Sequence, residues 1–275
     1  MISFGGSSRQ SLTNLRTSLD EKVKPLLAGD CAAVSSDLFG VLGVLNSSIG
    51  LRRALTDPSR DLESKRILLE DLFGKVIGKV SMELLIAGVS LRWSSPLQFA
   101  DAIEQIAVEA EASAANLTDD LDRVQDEIFE FSRILLANGD LRQALSARAD
   151  DASHKQALVD EIFARKFAPS ALRLVSAVVA GLRGRSIEQT VETYSHAIAA
   201  RRNRVTVHVR SAIALSDSQR GKLVSALTKQ IGQPVHINVE IDPSVIGGVV
   251  IRFADEVIDG TIVNRLAEAS RALVG

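Results

Sequence analysis

The helical part of the chain repeats its own pattern of apolar positions. Shifted by about 90 places, Val34, Leu38, Val41 and Leu45 fall on Val124, Ile128, Phe131 and Leu135. Leu51, Arg52, Ala54 and Leu55 fall on Leu141, Arg142, Ala144 and Leu145, and Lys65, Leu68, Leu72 and Phe73 fall on Lys155, Leu158, Ile162 and Phe163. Met82, Leu85 and Val89 then meet Leu172, Val175 and Val179. Any two amphipathic helices share apolar spacing, but charges and breaks that hold register through several helices mark a duplicated unit. Because the period is only about 90, the helix that starts near Leu97 must close the first copy and open the second. A shared helix implies one continuous helical body and not two beads on a string.

Within each copy the apolar positions recur at three and four, the spacing of helices that bury one face. Leu12, Leu15, Leu19, Val23 and Leu26 set the first helix, after a frayed GGSS start. Asp57-Pro58 and Ser94-Ser95-Pro96 are expected to break helices, Thr118 to cap one and Asn138-Gly139 to stop it. After Arg204 the period drops to two. Val205, Val207 and Val209 read as a strand, Ser216 and Gln219 as a capping box opening a helix that ends at Gly232, and Val235 to Ile241 as a second strand. Asp242-Pro243 turns the chain, Gly247-Gly248 lets the backbone bend, and Val249, Ile251 and Phe253 give a third strand. Val257-Ile258 is a short apolar step into Asp259-Gly260 and a last helix with Ile262, Leu266, Ala269 and Leu273 on one stripe. The fold class expected is α+β: a duplicated all-α bundle, divided as 1–96 and 97–203, followed by a small β-α-β-β-α domain over 204–275.

Composition narrows the function. With 275 residues, 46% of them apolar, the chain can bury real cores, and 4% aromatic content points to packing by aliphatic side chains. A net charge of −2 offers no global field for nucleic acid or anionic membrane. Cys31 is the only cysteine, which excludes an internal disulfide and a multi-thiolate metal site. No secretory signal opens the chain, and the run from Leu174 to Leu182 is far short of the roughly 20 residues of a membrane span.

The chemistry-bearing residues give no catalytic constellation. Gly247-Gly248 lacks the frame of a phosphate-binding loop. His208 and His236 each lie on a strand among apolar residues and could face each other, but neither has Cys or HxxxH spacing around it for a metal, and both read as outward-facing polar positions. Asp255, Glu256 and Asp259 read as a solvated turn with Asp259 capping the last helix; His154 and His196 are isolated. Arg201, Arg202 and Arg204, with Arg183 and Arg185 nearby, are the strongest local charge and read as a solvated joint or a seat for an acidic partner helix. They lack the interleaved aromatics of a base-stacking surface. A helical scaffold with an RNA-binding carboxyl-terminal domain is the competing class, and would bind with steep salt dependence.

The stretch IDPSVIGGVVIRFADEVIDGTIVNRLAEASRAL, from Ile241 to Leu273, resembles the carboxyl-terminal signature of the delta subunit of F-type ATP synthase, the OSCP family; its marks are Asp242, Pro243, Gly247, Gly248, Asp255, Asp259, Gly260 and Arg265. The stretches LRGRSIEQ at Leu182 and AARRNRVTVHVRSAIALS at Ala199 are similar to that family too. Ala254 departs from it, standing where the family commonly has Gly. Residues 1–96 resemble the additional bundle copy of the long, duplicated form. The resemblance implies a non-catalytic stator without cofactor or metal. It implies that the helical part holds amino-terminal helices of alpha subunits and the carboxyl-terminal part a b-type stalk. Membrane association is then expected only through the complex, as a peripheral protein on the cytoplasmic face of the cell membrane. For the alpha-subunit helix the expected groove lies between the helix of Phe99, Ile103 and Ile106 and that of Val178 and Leu182.

Overall fold

The structure, a computed structural model, describes residues 4–147, 152–202, 205–213, 215–232, 235–242, 245, 249–253 and 256–259. They belong to two compact units, Met1–Arg202 and Asn203–Gly275. Among its described residues the first holds helices only: α1 Gly6–Val23, α2 Ala28–Ser47, α3 Ile49–Thr56, α4 Leu62–Phe73, α5 Lys79–Ser90, α6 Pro96–Leu117, α7 Leu121–Ala137, α8 Gly139–Ser146, α9 Ala152–Phe163, α10 Pro169–Ala180 and α11 Ile187–Arg202. The repeat is reproduced to the residue, because α3, α4 and α5 begin at 49, 62 and 79 while α8, α9 and α10 begin at 139, 152 and 169 with equal lengths. By the same shift α1 corresponds to α6, α2 to α7 and α6 to α11.

Polar detail is duplicated along with the apolar pattern. Asp37 on α2 accepts the backbone N–H of Gly78 at 2.8 Å and the hydroxyl of Ser81 at 2.6 Å, closing the amino end of α5. Glu127, its counterpart on α7, accepts the N–H of Ala168 at 2.7 Å at the amino end of α10. Each carboxylate satisfies amides that the first helical turn leaves without partners and lies at the positive end of the helix dipole. Lys65 and Lys155, the charged pair in the repeat, are both buried.

Two apolar cores result, and α6 feeds both. Phe99, Ala102, Ile103, Ile106 and Ala110 join Leu15, Leu38, Leu69 and Leu85 in the first; Val108, Ala112 and Ala115 join Val124, Phe131, Phe163 and Val178 in the second. From Phe99 to Ala115 every residue of α6 except Asp101 and Gln105 is buried. A helix surrounded on all sides needs small side chains where neighbours come closest, which accounts for its alanines. The close packing continues at Gly88 on α5, where a Cβ would lie 3.1 Å from Cε2 of Phe99. By length and composition α2 could cross a membrane. Here it lies along α6 and gives Cys31, Val34, Leu38, Val41 and Leu45 to the first core.

In the second unit β1 Val205–Ser211, α12 Asp217–Ile231, β2 Val235–Ile241, β3 Val249–Phe253 and β4 Glu256–Asp259 follow in order, and the sheet runs β2-β1-β3-β4. β1 is parallel to β2, with α12 as the crossover, and antiparallel to β3. Ser216 and Gln219 form the expected capping box, and Gly232, at φ +74, ends α12 in the left-handed conformation that glycine adopts at no steric cost. Val207, Val209, Leu227, Val235, Ile237 and Ile251 form its core.

Three expectations change. Thr118 does not cap α7; its hydroxyl donates back to the carbonyl of Ala115 at 3.1 Å, closing α6, and Asp120 precedes α7. Val257 and Ile258 are more than an apolar step, since they sit in β4 opposite Arg252 and Ile251, giving four strands among the described residues where the sequence pattern suggests three. The acidic residues around them hide so short an edge strand from a period-two search. The strand register sets Thr206 opposite His236 and His208 opposite Asn238, so the two histidines are not a facing pair. The stripe Ile262, Leu266, Ala269 and Leu273 lies outside the described residues.

Candidate functional site

Buried carboxylates on α6 organise the helical unit. Glu104 is 1% exposed, and Glu109 and Glu111 are fully buried. Such burial is tolerable only with paired charges and hydrogen bonds. The guanidinium of Arg183 lies 2.6 Å from Glu104 and 2.7 Å from Asp101, and its Nε donates to Oδ1 of Asn46 at 3.0 Å. Arg185 pairs with the other oxygen of Glu104, which also accepts the Tyr194 hydroxyl at 3.3 Å. Farther along, Arg16 of α1 meets Glu109 at 2.6 Å and Arg173 of α10 meets Glu111 at 2.6 Å. Arg201, near the end of α11, pairs with Asp20 of α1.

The loop between α10 and α11 is shaped for this. Arg183 at φ +55 and Gly184 at φ +79 are consecutive left-handed residues that bring the flanking arginines onto one carboxylate. A non-glycine residue there costs on the order of 1 kcal/mol, which the two ion pairs of Arg183 offset. Burial pushes the Asp101 carboxyl above its usual range against the opposing pull of Arg183, and pushes the Tyr194 hydroxyl well up. Tyr194 also stacks on Phe39 of α2, ring centroids 6.0 Å apart. Side chains of α2, α6, α11 and the loop thus meet at one point between the copies. The expectation of a solvated joint or an acidic partner's seat is therefore corrected for Arg183, Arg185 and Arg201: the chain's own carboxylates occupy them, from residues too distant in sequence for local charge counting to find. The available signal was α6 itself, whose carboxylates at 101, 104, 109 and 111 interrupt a stretch of small and apolar residues that has no free face.

The groove expected for a partner helix is not open. Phe99, Ile103, Ile106 and Val178 are fully buried, the first three in the first core and Val178 in the second; Leu182 is half-buried against the second. Their apolar character serves packing, because each face of α6 already has a neighbouring helix. Of the signature residues, Asp242 accepts Nη1 of Arg210 at 3.0 Å and its N–H donates to the carbonyl of Ser211 at 2.9 Å, tying the end of β2 to β1. Asp259 ends β4 opposite Val250. Pro243, Gly247, Gly248, Asp255, Gly260 and Arg265 lie outside the described residues. Among the described residues no three His, Cys, Asp or Glu side chains group to hold a metal ion.

The charged and apolar groups described above hold helices to helices. That defines the class: a two-unit chain, its helical unit built from overlapping bundles locked on a common helix. The family model for the ATP synthase delta (OSCP) subunit matches residues 99–273. The chain is 37% identical over 273 residues to ATP synthase subunit delta of Streptomyces coelicolor, covering 99% of each, and 37% identical over 270 residues to that of Thermobifida fusca, covering 98% of this chain and 99% of the relative. The subunit delta of Kineococcus radiotolerans is 34% identical over 270 residues, 98% of both. The chain belongs to the ATP synthase delta (OSCP) subunit family, and its first bundle copy is shared with these full-length relatives.

Proposed function

We propose that the chain is a non-catalytic stator subunit of F-type ATP synthase, linking the alpha/beta head to the b-type stalk so that proton-driven rotation is coupled to ATP synthesis. The observation that carries this is similarity to subunit delta along the whole chain, both bundle copies included. A stator transmits elastic load. A helix buried on all sides and clamped by arginines from several elements suits that task, since close-packed interiors yield little.

In this reading residues 97–203 grip alpha-subunit helices, 204–275 the stalk, and 1–96 brace the grip; the chain reaches the cytoplasmic face of the cell membrane only as a peripheral part of the complex. The alpha-subunit helix needs exposed apolar groups, which the five groove residues do not supply. Phe129 and Leu136, seven residues apart on α7 and 64% and 66% exposed, do. Membranes lacking the chain should conduct protons down their gradient without making ATP, and adding the purified chain should restore synthesis. Full coupling in its absence refutes the stator. Phe129→Glu with Leu136→Glu should weaken head binding while the melting temperature holds, and removal of 205–275 should release the stalk and spare the head. The opposite result of that truncation refutes the division of labour.

A further inference from the structure

Duplication gives each copy a cleft at the same place, between its short third helix and the loop before its last. The first, of about 540 Å³, is lined by Arg53, Trp93 and Pro96; the second, of about 880 Å³, by Arg142, Lys155, Ser186, Ile187 and Glu188. The two differ in what their shared cations do. In the first copy Arg52 donates to the carbonyls of Leu45 and Asn46, and Lys65 to that of Val89 at 3.4 Å. Their counterparts are not spent in this way. Arg142 has Glu188 at 3.8 Å, and Lys155, only 9% exposed and lining the cleft, has no hydrogen-bond or ion-pair partner among the described residues.

The Lys155 side chain lines the cleft, where an anion can form a charge-assisted hydrogen bond with its ammonium. The same wall holds the amino end of α11. Ser186 and Gln189 cap each other there, at 3.1 and 3.2 Å, while the amides of Ile187 and Glu188 in the first turn face no earlier carbonyl of the helix. In the first copy Pro96, which has no N–H, stands where Ser186 does. The field in the second cleft already favours negative charge: the Glu188 carboxyl is held below its usual range by its own amide, the Ser186 hydroxyl and Arg142.

We propose that the second cleft is an oxyanion site, binding a phosphate group through Lys155, Arg142 and the first amides of α11, with Glu188 as its competing internal anion. The corresponding cleft of the first copy is silent.

The test titrates the isotope-labelled full chain with inorganic phosphate, and separately with phenyl phosphate, at constant ionic strength, following the amide resonances of Ile187 and Glu188. Saturable shifts are expected, weakened about tenfold in Lys155→Met and unchanged in Lys65→Met. Glu188→Gln should tighten binding severalfold. Tighter binding of phenyl phosphate than of the free ion assigns the site to an esterified phosphate, and the reverse assigns it to the ion. Should Lys155→Met fail to fold, Arg142→Gln takes its place, with the same loss expected. The proposal is overturned if neither the wild type nor Glu188→Gln shows saturable shifts with millimolar phosphate, or if Lys155→Met, or Arg142→Gln in its place, binds as the wild type does.

Discussion

Glu104→Gln isolates what the buried charges contribute. The substitution keeps shape and one acceptor oxygen while removing a charge that sits between two guanidiniums and a tyrosine hydroxyl. Taking one partner from a buried pair costs about 3–5 kcal/mol. Two features lower that figure here: Arg183 keeps Asp101 at 2.7 Å, and the Arg185 side chain, 17% exposed, can draw in water. About 2–4 kcal/mol remains, and with a shift of ~2–4 °C per kcal/mol for a unit of this size the melting temperature should fall by roughly 5–15 °C. Calorimetry and urea titration of the full chain read it directly. Glu63→Gln, which breaks an exposed pair with Arg66, is the matched control and should stay within about 0.5 kcal/mol of the wild type. A Glu104→Gln loss below about 1 kcal/mol would refute the reasoning, since the arginines could not then depend on this carboxylate.

Three further predictions follow from the same packing. Burial raises the Asp101 carboxyl above its usual 3.8, so its contribution to stability is complete below that value and is lost as pH rises through the folded one. The melting temperature of Asp101→Asn minus that of the wild type should therefore grow between about pH 3 and pH 7, and a shrinking difference contradicts the assignment. Gly88→Ala should cost about 1 kcal/mol, because the ring 3.1 Å from the new methyl is fully buried and packed on Trp93, whereas Gly43→Ala, with nothing within 4 Å, should gain up to about 1 kcal/mol. Arg201→Asp should destabilise the helical unit, and adding Asp20→Arg should restore most of the loss; urea denaturation of the set checks this, and no recovery in the double variant removes the pair from the account.

The sequence makes plain whatever is local or periodic. The 90-residue register gives helix order and the sharing of α6, the Ser216 box and Gly232 give both ends of α12, and the change of period at Val205 gives the second unit. Pairing across long separations is not written in any window. Arg183 meets Glu104 from 79 residues away and Arg201 meets Asp20 from 181, so a cluster of arginines looked like surface charge. The groove failed for a related reason. Apolar spacing says that Ile103 and Val178 are covered, but only the fold decides whether a partner or the chain itself covers them. In a duplicated protein a helix that looks one-sided in either copy is packed on both sides.

Duplication also creates a hazard, because α1 and α6 are equivalent helices and each could dock on the other's bundle. The ion pairs oppose this exchange. In the first copy Lys22 of α1 pairs with Glu83 of α5; in the second Glu111 of α6 pairs with Arg173 of α10, and Arg173 is the repeat counterpart of Glu83. The polarity of the joint is reversed. Exchange would bring Lys22 against Arg173 and Glu111 against Glu83, two like-charge contacts in place of two ion pairs, and Glu111 would carry its charge into that contact from a fully buried position. Apolar spacing fits both arrangements, so the sign of the charge selects between them. Glu83→Arg together with Arg173→Glu makes each bundle receptive to the wrong helix. Refolding of that variant should therefore populate dimers or a slow misfolded phase that the wild type lacks, measured by light scattering after dilution from urea. Clean monomeric refolding at the wild-type rate would show that loop connectivity alone specifies the order.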